Sequence, residues 1–275
     1  MNMDANVVTL IHDNGSSAKI HLFGATVISW INDNTEQLFL STLSKMDGSK
    51  AIRGGIPVIF PNFGPWSCGP QHGFARISWW KLQKQEKLED YVKATFVLEE
   101  NDHTLSLWKY RFRLTYTVEL RPQELETSLS ISNTGTESFD FTALLHTYFR
   151  VSSIKECSVT GFEGCTYNDK VTKEDGRVEN REKIHVDANV DSVYISAGTK
   201  CHFVSSQGRK IKIEKQNLKD TVLWNPWSAK AKEMSDFDDE GYLNMICVEA
   251  GHVSERKVLQ PGEIFGCGQK LKIVN

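Results

Sequence analysis

Apolar and polar residues alternate along much of this chain with a period of two. The clearest example is residues 103–120, where most aromatic and aliphatic residues occupy one parity and Lys109, Arg111 and Arg113 share the other. A half-buried β-strand presents alternate side chains to opposite faces, so this period predicts a strand. Similar short runs rich in β-branched and aromatic residues predict strands at 7–12, 19–23, 26–31, 37–40, 92–98, 141–151, 200–204, 210–214, 244–248 and 262–273.

Turn signals separate these runs, and helical periodicity is nearly absent. Asn14-Gly15 predicts a hairpin turn. Residues 42–46 and 234–239 are short helix candidates, although the acidic residues of the second favour a solvated loop, and 172–182 predicts one long exposed loop. Many strands without intervening helices predict an all-β fold, a large antiparallel β-sandwich with a concave binding face and few short helices. Since no linker or repeat divides the chain, we expect residues 1–275 to form a single domain.

Composition excludes several classes of protein. The net charge of −3 in 275 residues provides no broad positive field for nucleic acid. Apolar runs fall far short of the ~18–20 residues that cross a bilayer, and no secretory signal is visible, so we expect a cytoplasmic protein with no membrane partner. Six cysteines match no zinc spacing and predict reduced thiols.

Two loop-like segments carry residues suited to binding. Arg53 lies beside paired glycines in a stretch with two prolines, where it could grip a carboxylate or phosphate, or could be a surface arginine in a turn. Gln71, His72 and Arg76 lie within six residues, near tryptophans at 66, 79 and 80. Indole rings with planar polar groups suit a sugar, whereas His72 by itself favours a structural role.

Two further segments place ionisable groups in apolar strands. His146 could exchange a proton near neutrality or be a hydrogen-bonded core histidine. Glu249 ends an apolar run, where burial is costly unless the charge is paired, and a strand-end salt bridge is the alternative. No Walker, G-x-G-x-x-G, H-E-x-x-H or G-x-S-x-G pattern occurs, so nucleotide, metal and serine-nucleophile signatures are lacking.

The chain carries, in this order, the motifs RGGIPVIFPNFG, QHGFAR, LLHTYFRV, DSVYI, WNPW and ICVEAG. This ordered set resembles the glucose-6-phosphate 1-epimerases, or hexose-6-phosphate mutarotases, of the aldose-1-epimerase superfamily, over about residues 20–272. The resemblance implies a galactose mutarotase-like sandwich. It also implies cofactor-independent interconversion of the α and β anomers of hexose 6-phosphates, with glucose 6-phosphate favoured.

The resemblance also implies roles for residues of this chain. It makes His146 the general acid and Glu249 the general base, and it places Arg53 and Arg76 on the phosphate or nearby oxygens. It assigns Gln71 and Asp191 to the sugar, with Asp187 as the alternative to Asp191. No cofactor or metal is expected, and the expected partner is a small hexose 6-phosphate bound by a monomer.

Three other functions remain open from the sequence. A free-aldose mutarotase would need no paired arginines, so Arg53 and Arg76 argue against it. A non-catalytic carbohydrate-binding protein would need no opposed acid and base, so His146 and Glu249 argue against that. A glycoside hydrolase usually needs two carboxylates, of which only Glu249 can be nominated.

Overall fold

The structure is a computed structural model that describes residues 3–197, 202–206 and 208–274. Its strands in chain order are β1 (Val7–Ile11), β2 (Ser17–His21), β3 (Thr26–Asn32), β4 (Thr35–Glu36), β5 (Val58–Ile59), β6 (Lys81–Lys87), β7 (Val92–Glu99), β8 (Phe112–Arg121), β9 (Glu124–Asn133), β10 (Phe139–Leu145), β11 (Tyr148–Arg150), β12 (Ser158–Thr160), β13 (Thr166–Asp169), β14 (Glu174–Val178), β15 (Lys183–Ile184), β16 (Val190–Ile195), β17 (His202–Ser206), β18 (Arg209–Gln216), β19 (Asp220–Asn225), β20 (Met245–Leu259) and β21 (Ile264–Val274). The described helices are α1 (Asp102–Leu107), α2 (Trp227–Glu233) and 3-10 turns at Met3–Asn6, Ala75–Ile77, Ile154–Glu156 and Gly241–Asn244.

In the described part of the chain, these strands form three antiparallel sheets. One is β1-β2-β3-β4, and a nine-stranded sheet has the order β15-β12-β17-β18-β21-β9-β8-β7-β6. The eight-stranded sheet runs β14-β13-β16-β19-β20-β10-β5, with β11 beside β20. The predicted all-β, antiparallel architecture is therefore confirmed. None of the helices within the described ranges is long and apolar enough to cross a membrane.

The main core lies where the three sheets meet. Along β8 and β9, burial alternates residue by residue, as the period of two predicts. Phe112 and Leu114 of β8 join Ile20 of β2 and Val248 of β20 in one apolar cluster. Because side chains of all three sheets enter this cluster, burial of their apolar surface holds the sheets together.

The predicted strand at 103–120 is wrong in its first third, where α1 replaces it. Asn101 caps this helix, because its side chain accepts a hydrogen bond from Thr104 N while its own N–H donates to the Thr104 hydroxyl. This capping box satisfies backbone donors that a helix start leaves without partners. The period of hydrophobic residues carries no information about such a side-chain cap. The observed strand begins only at Phe112.

Other elements also differ from the sequence predictions. Residues 37–40 make isolated bridges through Leu38 and Leu40 rather than a strand, 42–46 contain no helix, and α2 was not predicted. The expected loop at 172–182 contains the exposed strand β14, followed by Glu179, which is only 3% exposed. Among the cysteines, Cys201 lies outside the described residues, and the described ones are free thiols, as expected.

Candidate active site

The second face of the eight-stranded sheet carries the polar groups of the site. Along β20, Ile246, Val248 and Ala250 enter the main core, so Cys247 and Glu249 point to the opposite face. On that face, β20 lies beside β19 on one side and β10 and β11 on the other. The apolar run around Glu249 is thus a strand that is buried on both faces. The Glu249 carboxylate lines a cavity on the face away from the main core.

This cavity has a volume of about 440 Å³, within the range of about 300–1,000 Å³ typical of small-molecule sites. The site residues predicted from the sequence all line it: Arg53, Gln71, Arg76, His146, Asp191 and Glu249. The alternative residue Asp187 instead lines a separate cavity of about 380 Å³. The geometry therefore favours Asp191 over Asp187 as a residue facing the proposed substrate.

Pairing of β10 with β20 brings the proposed acid and base together. Leu145 is registered with Ala250, so the next residue, His146, reaches Glu249 across the strands. His146 Nδ1 lies 3.4 Å from Glu249 Oε1, and the two side chains are 9% and 1% exposed. Among the described residues, His146 Nδ1 and Glu249 Oε2 have no hydrogen-bond partner.

Burial moves the two pKa values in opposite directions. Loss of water raises the pKa of Glu249 well above 4.5, with Asp191 adding to the shift. Burial lowers the pKa of His146 well below 6.5, and the charges of Arg76 and Arg53 add to this shift. The carboxylate is therefore a stronger base than usual, and the imidazolium is a stronger acid.

His146 occupies a break between β10 and β11. Its backbone N–H donates to Pro57 O at 3.0 Å, outside the ladder with β20. Its ring stacks on Tyr148 at 4.6 Å between centroids and 11° between planes, while His72 and Trp224 each present an edge at 6.0 Å. Aromatic side chains thus enclose the imidazole.

Arg53 is held by a carboxylate that the sequence prediction missed. Its Nε and Nη2 donate to the two oxygens of Asp236 at 3.3 and 3.2 Å, and Nη1 donates to the Tyr148 hydroxyl at 3.3 Å. Burial by itself would lower the pKa of Arg53, but Tyr148 and Asp236 outweigh it and raise that pKa. Arg53 is therefore both charged and fixed in direction.

The segment that carries Asp236 is a loop, but it is not solvated as expected. Asp236 is 8% exposed and Phe237 is fully buried. Phe237 packs against Phe39 with ring centroids 5.5 Å apart, and Asp238 accepts hydrogen bonds from the Ser41 hydroxyl and Thr42 N. These anchors hold Asp236 against Arg53. The apolar Phe237 within the acidic run is the signal that could have revealed this.

Arg76 differs from Arg53 because no carboxylate pairs with it among the described residues. Its Nη2 donates to the backbone oxygen of Gln71 at 2.8 Å, and its buried Nε has no partner in the described structure. Burial, aided by the charge of Arg53, lowers the pKa of Arg76 to about 10. A partly buried guanidinium without a counter-charge favours an anionic ligand.

His72 fits the structural role that the sequence favoured for it. Gly64 N donates to His72 Nδ1 at 3.1 Å, and burial together with Arg76 and Arg53 lowers the pKa of His72 to about 3. The ring is therefore neutral at ordinary pH and lines the cavity as a hydrogen-bond acceptor toward its own loop. Gln71 is exposed at the rim.

Two glycines near the arginines serve backbone packing rather than contact with a ligand. A Cβ on Gly55 would lie 2.0 Å from Val27 O, and one on Gly73 would lie 2.2 Å from Phe60 O. Both glycines also have positive φ, at 65° and 72°. They let the loops that carry Arg53 and Arg76 press against neighbouring backbone, which fixes both guanidinium groups relative to the sheet.

The cavity also contains Asp191 with two lysines that the sequence analysis did not select. Lys230 Nζ lies 4.0 Å from Asp191 Oδ2, and Lys170 also lines the cavity. Burial raises the pKa of Asp191, although Lys230 and Lys170 oppose the shift. Phe63 and Trp224 are the aromatic residues that line this cavity beside its histidines, whereas the tryptophans at 66, 79 and 80 that were expected near a sugar do not line it.

One group within the described residues has donor atoms suited to a metal ion. A nitrogen of His146, the sulfur of Cys247 and an oxygen of Glu249 lie within 4.8 Å of one another. Burial raises the pKa of the Cys247 thiol well above 9.0, and a protonated thiol is a poor ligand. This protonated thiol makes the group a weak candidate for a metal site. The expectation that no metal takes part in the reaction stays a prediction.

Sequence comparison places this fold and cavity in a known group. The sequence model of the aldose 1-epimerase family matches residues 6–272. The chain belongs to that family. It is therefore an isomerase of the aldose 1-epimerase type, and the sequence resemblance noted above is confirmed at the level of the family.

Relatives cover nearly the whole chain. A protein of Cenchrus ciliaris named "Putative glucose-6-phosphate 1-epimerase" is 38% identical over 256 residues, which span 90% of this chain and 78% of the relative. A protein of the same name from Escherichia coli K12 is 32% identical over 93% of this chain and 86% of its own length. The crystal structure of a "putative mutarotase" from Salmonella typhimurium superimposes with a TM-score of 0.88 at 26% identity, covering 98% of this chain and 92% of that one.

Proposed function

We propose that this aldose 1-epimerase acts on hexose 6-phosphates, with glucose 6-phosphate as the favoured substrate. The observation that carries the proposal is Arg76, a partly buried guanidinium in the cavity that lacks a carboxylate partner among the described residues. A phosphate dianion supplies the missing counter-charge, whereas a free sugar does not. The names of the relatives from Cenchrus ciliaris and Escherichia coli agree with this substrate class.

The proposed reaction opens and closes the sugar ring by two proton transfers. Glu249 removes the proton of the C1 hydroxyl while His146 gives a proton to the ring oxygen, so the C1–O5 bond breaks and an aldehyde forms. Rotation about C1–C2 exposes the other face of the aldehyde. Ring closure then returns the proton from O5 to His146 and delivers the proton of Glu249 to the new C1 hydroxyl, which regenerates both groups. General acid and base steps each contribute typically about 10²–10⁴ in rate.

The opposed pKa shifts suit this pair. The arrangement that reacts, with Glu249 ionised and His146 protonated, carries as many protons as the pair with neutral Glu249 and neutral His146. The pair can therefore reach it by moving one proton between groups that lie 3.4 Å apart. Burial raises the basicity of Glu249 and the acidity of protonated His146, so each group acts more strongly in its proposed role.

One observation favours a second candidate, a mutarotase of free aldoses. Arg53 already bonds Asp236 and Tyr148, so part of the positive charge at this end is neutralised without any phosphate. If Arg53 and Arg76 served only to build the site, free glucose would react as well as its 6-phosphate. The retained acid–base pair is common to both candidates.

Exchange NMR of the anomeric protons separates the candidates, with glucose 6-phosphate and glucose in parallel tubes. We expect kcat/KM to be higher for the phosphate. Arg76→Met should reduce kcat/KM for the phosphate by about 10- to 150-fold, because a charge-assisted contact contributes about 1.5–3 kcal/mol, and change that for glucose little. Arg177→Met, which removes an arginine lining the separate cavity, is the matched control and should leave both rates unchanged.

The roles of the acid and base are tested with Glu249→Gln and His146→Ala. Each variant should lose at least about 10²-fold in kcat on any sugar that the wild type accepts. Equal kcat/KM on both sugars in the wild type, and equal losses in Arg76→Met, would identify a free-aldose mutarotase. Unchanged kcat in both Glu249→Gln and His146→Ala would contradict the proposed mechanism.

A further inference from the structure

Tyr148 contacts two residues that line the cavity, His146 and Arg53. It begins β11, immediately after the strand break that carries His146, and its side chain is 1% exposed. Its ring packs with Phe39, Phe237 and Cys247 in an apolar cluster on the cavity side of the sheet. Close packing on this side leaves the ring little freedom to move.

The Tyr148 ring provides a flat surface for the imidazole of His146. The planes are 11° apart at 4.6 Å, whereas the Trp224 and His72 rings meet the same imidazole edge-on. In many catalytic sites, a hydrogen bond to the second ring nitrogen fixes a histidine. His146 Nδ1 has no such bond within the described residues, so stacking and enclosure must set the plane of this ring.

The Tyr148 hydroxyl contacts the second of these residues, Arg53. It accepts a hydrogen bond from Arg53 Nη1 at 3.3 Å, while Nε and Nη2 of the same guanidinium are bound to Asp236. Asp236 approaches one edge of the guanidinium, and Tyr148 approaches a different nitrogen. Two partners in different directions restrict the rotation of a planar group more than one partner does.

We propose that Tyr148 is a positioning residue that orients the imidazole of His146 through its ring and the guanidinium of Arg53 through its hydroxyl. The inference rests on the proposed roles of His146 and Arg53. It adds that one side chain sets the distance between the proton-transfer group and Arg53, one of the two arginines expected on the phosphate or nearby oxygens. The two halves separate experimentally, because phenylalanine keeps the ring and removes the hydroxyl.

The test compares Tyr148→Phe and Tyr148→Leu by anomeric exchange NMR with glucose and glucose 6-phosphate. Tyr148→Phe should raise KM for glucose 6-phosphate by about 2- to 10-fold, as expected for one hydrogen bond, and largely retain kcat on both sugars. Tyr148→Leu should reduce kcat by about 10- to 100-fold on any sugar that reacts, because a proton-transfer group displaced by about 1 Å costs that much. A cooperative urea unfolding transition of Tyr148→Leu, measured on the same sample, would exclude a loss due to unfolding.

Tyr194→Phe is the matched control. Tyr194 is also 1% exposed and its hydroxyl donates to Glu179 at 2.8 Å, but its ring packs against Phe162 and Tyr167 rather than against a residue of the cavity. Its variant should change neither KM nor kcat. Unchanged kcat in folded Tyr148→Leu, or kcat in Tyr148→Phe as low as in Tyr148→Leu, would overturn the role of the ring. Unchanged KM for glucose 6-phosphate in Tyr148→Phe would overturn the role of the hydroxyl.

If the wild type turned over glucose but not glucose 6-phosphate, the proposed substrate would fail while the kcat comparison on glucose still tested the ring. The role of the hydroxyl would then be overturned together with the phosphate contact of Arg53. If the wild type were active on glucose 6-phosphate and both Tyr148 variants kept its KM and kcat, the result would be the reverse. The proposed function would be supported, and the positioning role of Tyr148 would be refuted.

Discussion

Replacement of Asp191 by asparagine removes a negative charge from the cavity with little change of shape. Asp191 lies on β16 and faces the cavity that contains His146 and Glu249. Asp187, four residues earlier, lines the separate cavity. Asp187→Asn is therefore the matched control, because it makes the same chemical change outside the candidate active site. If Asp191 accepts a hydrogen bond from a sugar hydroxyl, only its own variant should impair turnover.

The expected magnitude follows from the contacts of Asp191. Its ion pair with Lys230 is 4.0 Å long, and the two side chains are 27% and 45% exposed. Such solvated pairs contribute about 0.2–1 kcal/mol, so the free energy of unfolding should fall by no more than about 1 kcal/mol. A hydrogen bond to a charged group contributes about 1.5–3 kcal/mol, which corresponds to about 10- to 150-fold in kcat/KM. Turnover should therefore suffer far more than stability.

Anomeric exchange NMR measures kcat/KM, and urea unfolding measures stability on the same samples. Burial raises the pKa of Asp191, so the wild type should also lose kcat/KM as pH falls through that raised value, and Asp191→Asn should lack this loss. Equal effects of Asp191→Asn and Asp187→Asn would refute the assignment. So would an Asp191→Asn variant with wild-type kcat/KM.

Further expectations concern stability. Burial lowers the pKa of His72 to about 3, below its unfolded value of 6.5. The free energy of unfolding should therefore fall by up to about 1.4 kcal/mol per pH unit as pH drops below 6.5. His72→Gln should flatten this slope in calorimetry from pH 7 to 5. Asp236→Asn should lower the free energy of unfolding in urea by about 1–3 kcal/mol, since it leaves the largely buried Arg53 without its carboxylate. Asn101→Ala should cost about 1 kcal/mol by loss of the α1 cap, with an unchanged anomerisation rate.

The fold was predictable where burial alternates regularly. The strands β8 and β9 bury every second residue, so their sequence alone indicates the face that meets the core. The helix α1 was not predictable from that pattern, because a side-chain cap at Asn101 determines it. The exposed strand β14 carries no buried face and therefore no hydrophobic signal, although its backbone pairs with β13.

The site was predictable only through its motifs. Periodicity placed His146 and Glu249 in buried strands, but their meeting depends on the register of β10 with β20. The acidic residues around Asp236 indicate a solvated loop in the sequence. The burial of Asp236 against Arg53 is a tertiary contact between segments far apart in the chain. Tyr148 carries no charge, so its contacts with His146 and Arg53 are visible only in three dimensions.

The cavity contains an acid–base pair that burial favours in its neutral form and a charged arginine. This difference explains why binding through a phosphate group would help the reaction. His146 and Glu249 both have pKa values shifted toward their neutral forms, since burial penalises charge at the reacting end. Strong electrostatic attraction therefore cannot come from these groups without compromising proton transfer. Arg76, which lines the same cavity and has no carboxylate partner in the described residues, can supply it. Binding energy from a non-reacting part of the substrate would then hold the sugar while the acid–base pair stays free to exchange protons.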